Sequence, residues 1–275
     1  MLNYEKWQKN LVMVRGGGDI ATGTIYKLFQ CGFPLLVLEI SNPSCIRRTI
    51  SFCEAVFDHK VIVEGVSARK VSSMKEAYDV YKEGEIPVMI DPKGDMIKKS
   101  RPLVVVDAIL AKKNIGTAID DAPVVIGLGP GFVAGKDVHA VIETQRGHNL
   151  GRVIYEGEAA ANTGIPGIIA GYGKERVIHA PYEGILHIEK QIGEEVEKGD
   201  IIAFIDEKPV FATISGIVRG MLREGYHVNV GLKMADIDPR LGEKENCHHI
   251  SDKARCVAGG VLEAILHLRM EKVEQ

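Results

Sequence analysis

The chain has 275 residues, 45% apolar and 26% charged, with a formal net charge of −3. That composition belongs to a globular protein with a full core and excludes wholesale disorder. The near-balanced charge gives no global attraction to nucleic acid or to an anionic membrane.

The first residues, Met1-Leu2-Asn3-Tyr4-Glu5-Lys6-Trp7, contain no apolar leader. No apolar run reaches the roughly 20 residues that span a bilayer. The five cysteines are an odd number with no framework spacing. A reducing cytoplasm is therefore expected, with neither membrane nor nucleic acid as partner.

In chain order, Leu11–Arg15 reads as a buried strand, followed by Gly16-Gly17-Gly18 and by Asp19 as the expected N-cap of a helix over Ile20–Gln30. Pro34–Ile40 reads as the next strand, Ser44–Val56 as a helix and Lys60–Glu64 as a strand. Ser73–Lys82 has the spacing of a helix. Ile86–Ile90, Leu103–Val106 and Val124–Ile126 are continuous apolar runs, as in parallel strands buried on both faces. The alternation predicts an α/β domain with a parallel, Rossmann-like sheet over residues 1–174.

From Val177 the texture changes to an internal repeat. Ala180, Gly184, Ile185, Gly193, Val196, Gly199, Ile205 and Asp206 recur as Ala212, Gly216, Ile217, Gly225, Val228, Gly231, Ile237 and Asp238, always 32 residues on. A duplicated β-domain over 175–241 follows, and it resembles the barrel-sandwich hybrid of biotinyl and lipoyl domains. The hairpin Asp206–Val210 is short, and Pro209 follows Lys208, so no covalent biotin or lipoate is expected. Residues 242–275 read as a linker and an amphipathic helix, Lys253–Met270, that packs back on the rest.

The chemistry concentrates at strand ends. Gly16-x-Gly18-x-x-Ala21 follows a strand and opens a helix, the context in which backbone N–H groups receive a pyrophosphate. Glu39 closes the next strand where an acidic ribose partner belongs. Arg15, Gly17, Asp19 and Thr22 complete this candidate site, with Arg15 or a metal ion to offset Asp19. Arg47 points to the same phosphate rim. Asp107 and the turn carrying Gly127, Gly129 and Gly131 are expected on that rim too, because ligands of open α/β sheets bind outside the carboxyl ends of the strands. Lys136, His139, Arg146 and His148 would hold an anion through charge-assisted hydrogen bonds. Cys247, His248, His249 and Cys256 fit no standard metal spacing, so no metal is expected.

These segments together resemble one family over about Val12 to Leu266. The residues carrying the likeness are Arg15-Gly-Gly-Gly-Asp-Ile-Ala-Thr-Gly23, Arg47-Arg48-Thr49, Arg101-Pro-Leu-Val-Val-Val-Asp107-Ala and Gly127-Leu-Gly-Pro-Gly-Phe132. To these add Asp137-Val-His139, Glu143-Thr144, Arg146-Gly-His148-Asn-Leu-Gly-Arg152, Asn162-Thr-Gly-Ile-Pro-Gly167 and Ile250-Ser-Asp-Lys-Ala-Arg255. The family is that of selenium-dependent molybdenum hydroxylase maturation, often called the YqeB family. The resemblance implies an accessory factor that prepares or delivers a selenium-bearing molybdenum cofactor, with the apo molybdenum hydroxylase as partner. The expected ligand is nucleotide-like: the molybdenum cofactor dinucleotide or NAD(P). Two other readings stay open, a nicotinamide-dependent oxidoreductase and a non-catalytic docking scaffold.

Overall fold

The computed structural model describes residues 2–164 and 166–271, the last by its backbone alone. Met1 of the leader reading, Ile165 of the Asn162–Gly167 segment and the last four residues of the 242–275 region lie outside the described residues. The protein is a mixed α/β chain with one large, largely parallel sheet, smaller antiparallel sheets and a C-terminal helix. It divides into two compact units. One comprises 1–43, 51–162 and 250–275; the other comprises 44–50 and 163–249.

The first unit contains helices α1 (Tyr4–Lys9), α2 (Asp19–Gln30), α3 (Ala55–Asp58), α4 (Met74–Lys82), α5 (Asp95–Ser100) and α6 (Asp252–Glu271). Its strands are β1 (Val12–Arg15), β2 (Leu35–Glu39), β3 (Lys60–Val63), β4 (Val66–Val71), β5 (Ile86–Ile90) and β6 (Val104–Asp107). They continue with β7 (Val124–Leu128), β8 (Val133–Ala134), β9 (Ala140–Ile142), β10 (Val153–Ile154) and β11 (Gly157–Glu158). The main sheet runs β10-β9-β7-β6-β1-β2-β5-β4-β3, parallel except for the outermost pair at each edge. From β1 the chain passes to β2, then to the edge strand β3 and back inward through β4 to β5, before it crosses to β6, β7, β9 and β10 on the other side, so strand order reverses between β1 and β6.

Side chains alternate across the strands. Met13, Leu36, Leu38, Val105 and Val125 form one core with Trp7 of α1, Ala77 and Val80 of α4 and Ile97 of α5. Val12, Val14, Val104 and Val106 face the other way and are also fully buried. That side is covered by α2 and by α6, which pack on each other, α6 also reaching β7, β9 and β10. Each such aliphatic side chain contributes about 1.5–3 kcal/mol when fully buried.

The segment expected as a helix over Ser44–Val56 is instead irregular, with 3₁₀ turns at Arg48–Ile50 and Phe52–Glu54. Tertiary hydrogen bonds outweigh local propensity there: Ile46 O accepts the Met221 N–H at 2.7 Å, and Cys53 N–H donates to Gly17 O at 2.8 Å.

The second unit consists of strands β12 (Val177–His179), β13 (Gly184–Ile188), β14 (Glu195–Val196), β15 (Ile201–Ile205), β16 (Lys208–Phe211), β17 (Gly216–Met221), β18 (His227–Val228) and β19 (Lys233–Asp238). The sequence repeat accounts for this layout. β13, β14 and β15 begin 32 residues before β17, β18 and β19. The two four-stranded sheets run β12-β19-β17-β14 and β16-β15-β13-β18. Each copy therefore lends strands to both sheets, which interlocks the halves. Leu186, Ile202, Val218, Met234 and Ile237 lie in their shared core.

Candidate functional site

The glycine turn is shaped by close packing. Gly16 has φ +91°, a left-handed conformation that L side chains rarely adopt, and a Cβ there would lie 3.1 Å from Ala108 O. Gly17 packs on Cys53, whose N would be 2.9 Å from a Cβ. The N-cap of α2 is Gly18 rather than Asp19, and no side chain caps it; Asp19 is the first helical residue. Ala21 and Thr22 are buried. Thr22 Oγ1 donates to Gly17 O (3.1 Å) and accepts the Phe52 N–H (3.1 Å), tying the turn to the 52–54 segment.

The charged residues expected at this rim have internal partners. Arg15 and Asp107 are register neighbours on β1 and β6. Both are buried, Arg15 Nη1 lying 3.2 Å from Asp107 Oδ2. Thr117 joins them: its hydroxyl donates to Asp107 Oδ2 at 2.6 Å and also meets Arg15 Nη1. Glu39 accepts the Gly17 N–H at 2.7 Å and the Ile40 N–H at 2.8 Å, one on each carboxylate oxygen. Burial holds its carboxyl above the usual range, against the lowering effect of those two backbone donors.

The second glycine turn follows β7 and leads into β8, so it opens no helix of its own. A Cβ on Gly129 would lie 2.6 Å from Thr144 Oγ1, and one on Gly131 2.6 Å from the Lys113 backbone; Gly127 packs on the Phe132 ring. Lys136 and His139 lie between β8 and β9, at the amino edge of the sheet, where His139 Nδ1 accepts the Val125 N–H at 3.0 Å. They are not brought to the glycine turn. Arg47 belongs to the second unit, where it is buried and donates to the carbonyls of Asn246 (2.8 Å) and His249 (3.0 Å).

A cluster forms where β9 ends and α2 and α6 begin, joining the expected Asp19 and Arg146 to Glu143, Asp252 and Lys253, which were not expected as ligand residues. Glu143 is buried, with Oε1 accepting the Gln145 N–H (2.7 Å) and Oε2 the Ala160 N–H (2.8 Å). Arg146, on the exposed loop that also carries His148, pairs bidentately with Asp252 at 3.0 and 3.2 Å. Ser251 caps α6 by accepting the Ala254 N–H at 3.2 Å, and Glu64 holds the approach to α6 through Ile250 N and Arg255. Lys253 feels Arg146, Asp19, Glu143 and Asp252, and burial, with Arg146, holds its amine below the ordinary lysine range. A lysine in the first turn of a helix opposes the macrodipole. That was the sequence signal for this cluster. An open pocket of about 290 Å³ adjoins it, lined by Glu143, Asn149, Arg152 and Tyr155 among others.

Among the described residues, no group of His, Cys, Asp and Glu is arranged to hold a metal ion, and no helix is long and apolar enough to cross a membrane.

No family model matches the chain. Solved structures that are similar at low identity include the following three. The product-bound ectoine utilization protein EutE (DoeB) from Ruegeria pomeroyi is 10% identical, covering 83% of this chain and 85% of that one, with TM-score 0.26. A succinylglutamate desuccinylase from Silicibacter sp. TM1040 is 11% identical (83% and 84%; TM-score 0.25). A succinylglutamate desuccinylase/aspartoacylase from Rhodobacter sphaeroides is 14% identical (84% and 86%; TM-score 0.27). The chain spans about half the length of the curated relative it matches, covering 49% of it. That relative is the uncharacterized protein YqeB of Escherichia coli (strain K12), to which the chain is 51% identical over 264 residues, 96% of its own length.

Proposed function

We propose that the chain is an accessory factor in the maturation of selenium-dependent molybdenum hydroxylases, and that it binds a nucleotide-like ligand, the molybdenum cofactor or its dinucleotide, at the carboxyl rim of a Rossmann-like sheet. The observation that carries this reading is convergence. Gly16–Asp19, Glu143–Arg146 and Asp252–Lys253 are three stretches, each more than 100 residues from the next, that lie in segments carrying the family resemblance; Arg146 pairs with Asp252, and Lys253 feels the charges of Asp19 and Glu143. The start of α2 has no side-chain cap and stands beside the point where strand order reverses. The second unit, read as a barrel-sandwich hybrid, is then the surface that receives the apo-hydroxylase.

The nicotinamide alternative is disfavoured by Glu39. Both of its carboxylate oxygens already accept backbone N–H groups, whereas a ribose partner must be open to two hydroxyls.

Gly18→Asp tests the rim. Gly18 has φ −72° and ψ −172°, open to any residue, and Asp is a strong N-cap that should hold or raise stability by a few tenths of a kcal/mol. Its carboxylate would fill the position of a ligand anion. Titration of wild type and variant with molybdenum cofactor, its dinucleotide, CTP, ATP and NAD(P) should give binding to a molybdenum cofactor species in the wild type only. Absence of wild-type binding, or equal binding by a well-folded variant, overturns the reading.

A further inference from the structure

Arg15 is the last residue of β1, at the carboxyl edge of the sheet and beside the reversal of strand order. Its side chain is only 5% exposed. One nitrogen does all of its bonding: Nη1 lies 3.2 Å from Asp107 Oδ2 and also meets Thr117 Oγ1. Nε and Nη2 make no hydrogen bond or ion pair with any described residue. Neither is sealed in the core, so this edge of the guanidinium stays within reach from outside.

Other arginines of the chain meet a carboxylate with two nitrogens. Arg240 gives Nε and Nη2 to Asp238 at 2.9 and 2.8 Å, and Arg146 gives Nη1 and Nη2 to Asp252. Arg15 does not meet Asp107 in this way. An arginine kept only to balance that acid would turn a two-nitrogen edge towards it, because idle donors on a buried guanidinium cost free energy.

The idle edge is also held in place. Asn114 fixes Thr117, its Oδ1 accepting the Thr117 N–H at 2.9 Å and its Nδ2 donating to Thr117 O at 2.7 Å. Asp107 Oδ1 accepts the Ile109 N–H at 3.2 Å. With Nη1 anchored between these two residues, the planar guanidinium has little freedom to turn. Gly94, the buried N-cap of α5, stands on the Nε side. A Cβ there would lie 3.6 Å from Nε and otherwise meet only the Ile97 side chain, so the glycine leaves the space beside Nε clear.

We propose that the Nε–Nη2 edge of Arg15 is a binding site for an oxyanion, the carboxylate or phosphate of a small-molecule ligand. Its parallel N–H groups match two oxygens of such a group side-on. Asp107 already balances the charge of Arg15, so recognition comes from two directed hydrogen bonds in a mostly buried setting, where they are stronger than in water. The inference rests on the reading of the carboxyl rim as the ligand site and names the group that holds the ligand there.

The test uses the whole chain and follows arginine Nε–H signals by proton–nitrogen NMR. Inorganic phosphate, pyrophosphate and malonate are titrated in turn against chloride at constant ionic strength. At least one should shift the Arg15 signal saturably and leave in place that of Arg240, whose Nε is bonded to Asp238. A response to the phosphates alone or to malonate alone assigns the class. Gly94→Asp supplies a competing carboxylate. The φ of +72° is one that Asp tolerates better than most residues, and the Ile97 methyl group that the Cβ meets at 3.2 Å can give way. The folded variant should bind the active anion about tenfold or more weakly. No Arg15 shift with any of the three anions, or undiminished affinity in folded Gly94→Asp, overturns the proposal; if the variant does not fold, the wild-type titration decides. Binding of a molybdenum cofactor species that leaves the Arg15 signal in place overturns this inference and spares the functional reading. An oxyanion response in a protein that binds no such species does the reverse.

Discussion

Two helical glycines should respond in opposite directions to the same substitution. Alanine is favoured over glycine in a helix interior by about 1 kcal/mol, so Gly→Ala stabilises wherever the new methyl group has room. Gly259 of α6 has nothing within 4 Å of a Cβ, and Gly259→Ala should gain up to about 1 kcal/mol. At Gly23 of α2 the methyl group would lie 2.7 Å from the C, O and Cβ atoms of Ala254, at least 0.7 Å short of ordinary contact at 3.4 Å. The obstruction is helix backbone, so α2 and α6 must separate. Overpacking of this kind costs about 1–3 kcal/mol, which cancels or exceeds the gain in propensity. The variants should differ by about 1–3 kcal/mol, or roughly 3–10 °C in melting temperature for a unit of this size. Differential scanning calorimetry of the three proteins in one buffer measures it. If Gly23→Ala matches Gly259→Ala in stability, the α2–α6 contact does not hold the start of α6 in place.

Other expectations follow from the buried polar groups. Asp107→Asn removes the charge opposite buried Arg15 and should destabilise by about 3–5 kcal/mol, whereas replacing both residues by apolar ones of similar volume should cost much less, as chemical denaturation would show. Thr22→Val leaves the Phe52 N–H without its acceptor and should cost about 1–3 kcal/mol in the same assay; a neutral result would mean that water or a backbone shift takes over. Glu39 gives a pH signature. Burial raises its carboxyl pKa in the folded state, so the folded chain holds its proton more tightly than the unfolded chain, and stability falls as pH rises from the unfolded value through the folded one. Glu39→Gln abolishes that step, so its stability relative to wild type should improve between mildly acidic and neutral pH; a pH-independent difference would contradict the assignment.

Much of the architecture was legible because it depends on period and punctuation. The apolar runs at Ile86–Ile90 and Val124–Ile126 are strands, and the 32-residue repeat sets out three strand pairs of the second unit, since a register written in glycines survives duplication. The site was less legible. Arg15, Glu39 and Asp107 are placed where ligands are held in such sheets, yet their partners come from other strands and loops: Asp107 for Arg15, and Gly17 for Glu39. Nothing local distinguishes an acid that meets a ligand from one that meets its neighbour's arginine. His139 and Lys136 sit only a few residues before Glu143 but at the opposite edge of the sheet, because β9 runs from one edge to the other between them.

These internal pairings narrow what can meet a ligand. Arg15, expected to offset Asp19, is paired with Asp107 instead, and Glu39, expected to meet a ribose, is joined to Gly17. Apart from the open edge of Arg15, the positive groups left at the rim come from late in the chain, on the loop after β9 and on the first turn of α6. The close approach of Gly23 and Ala254 packs α2 on α6, so on the reading proposed above the packing that stabilises the unit also assembles the rim.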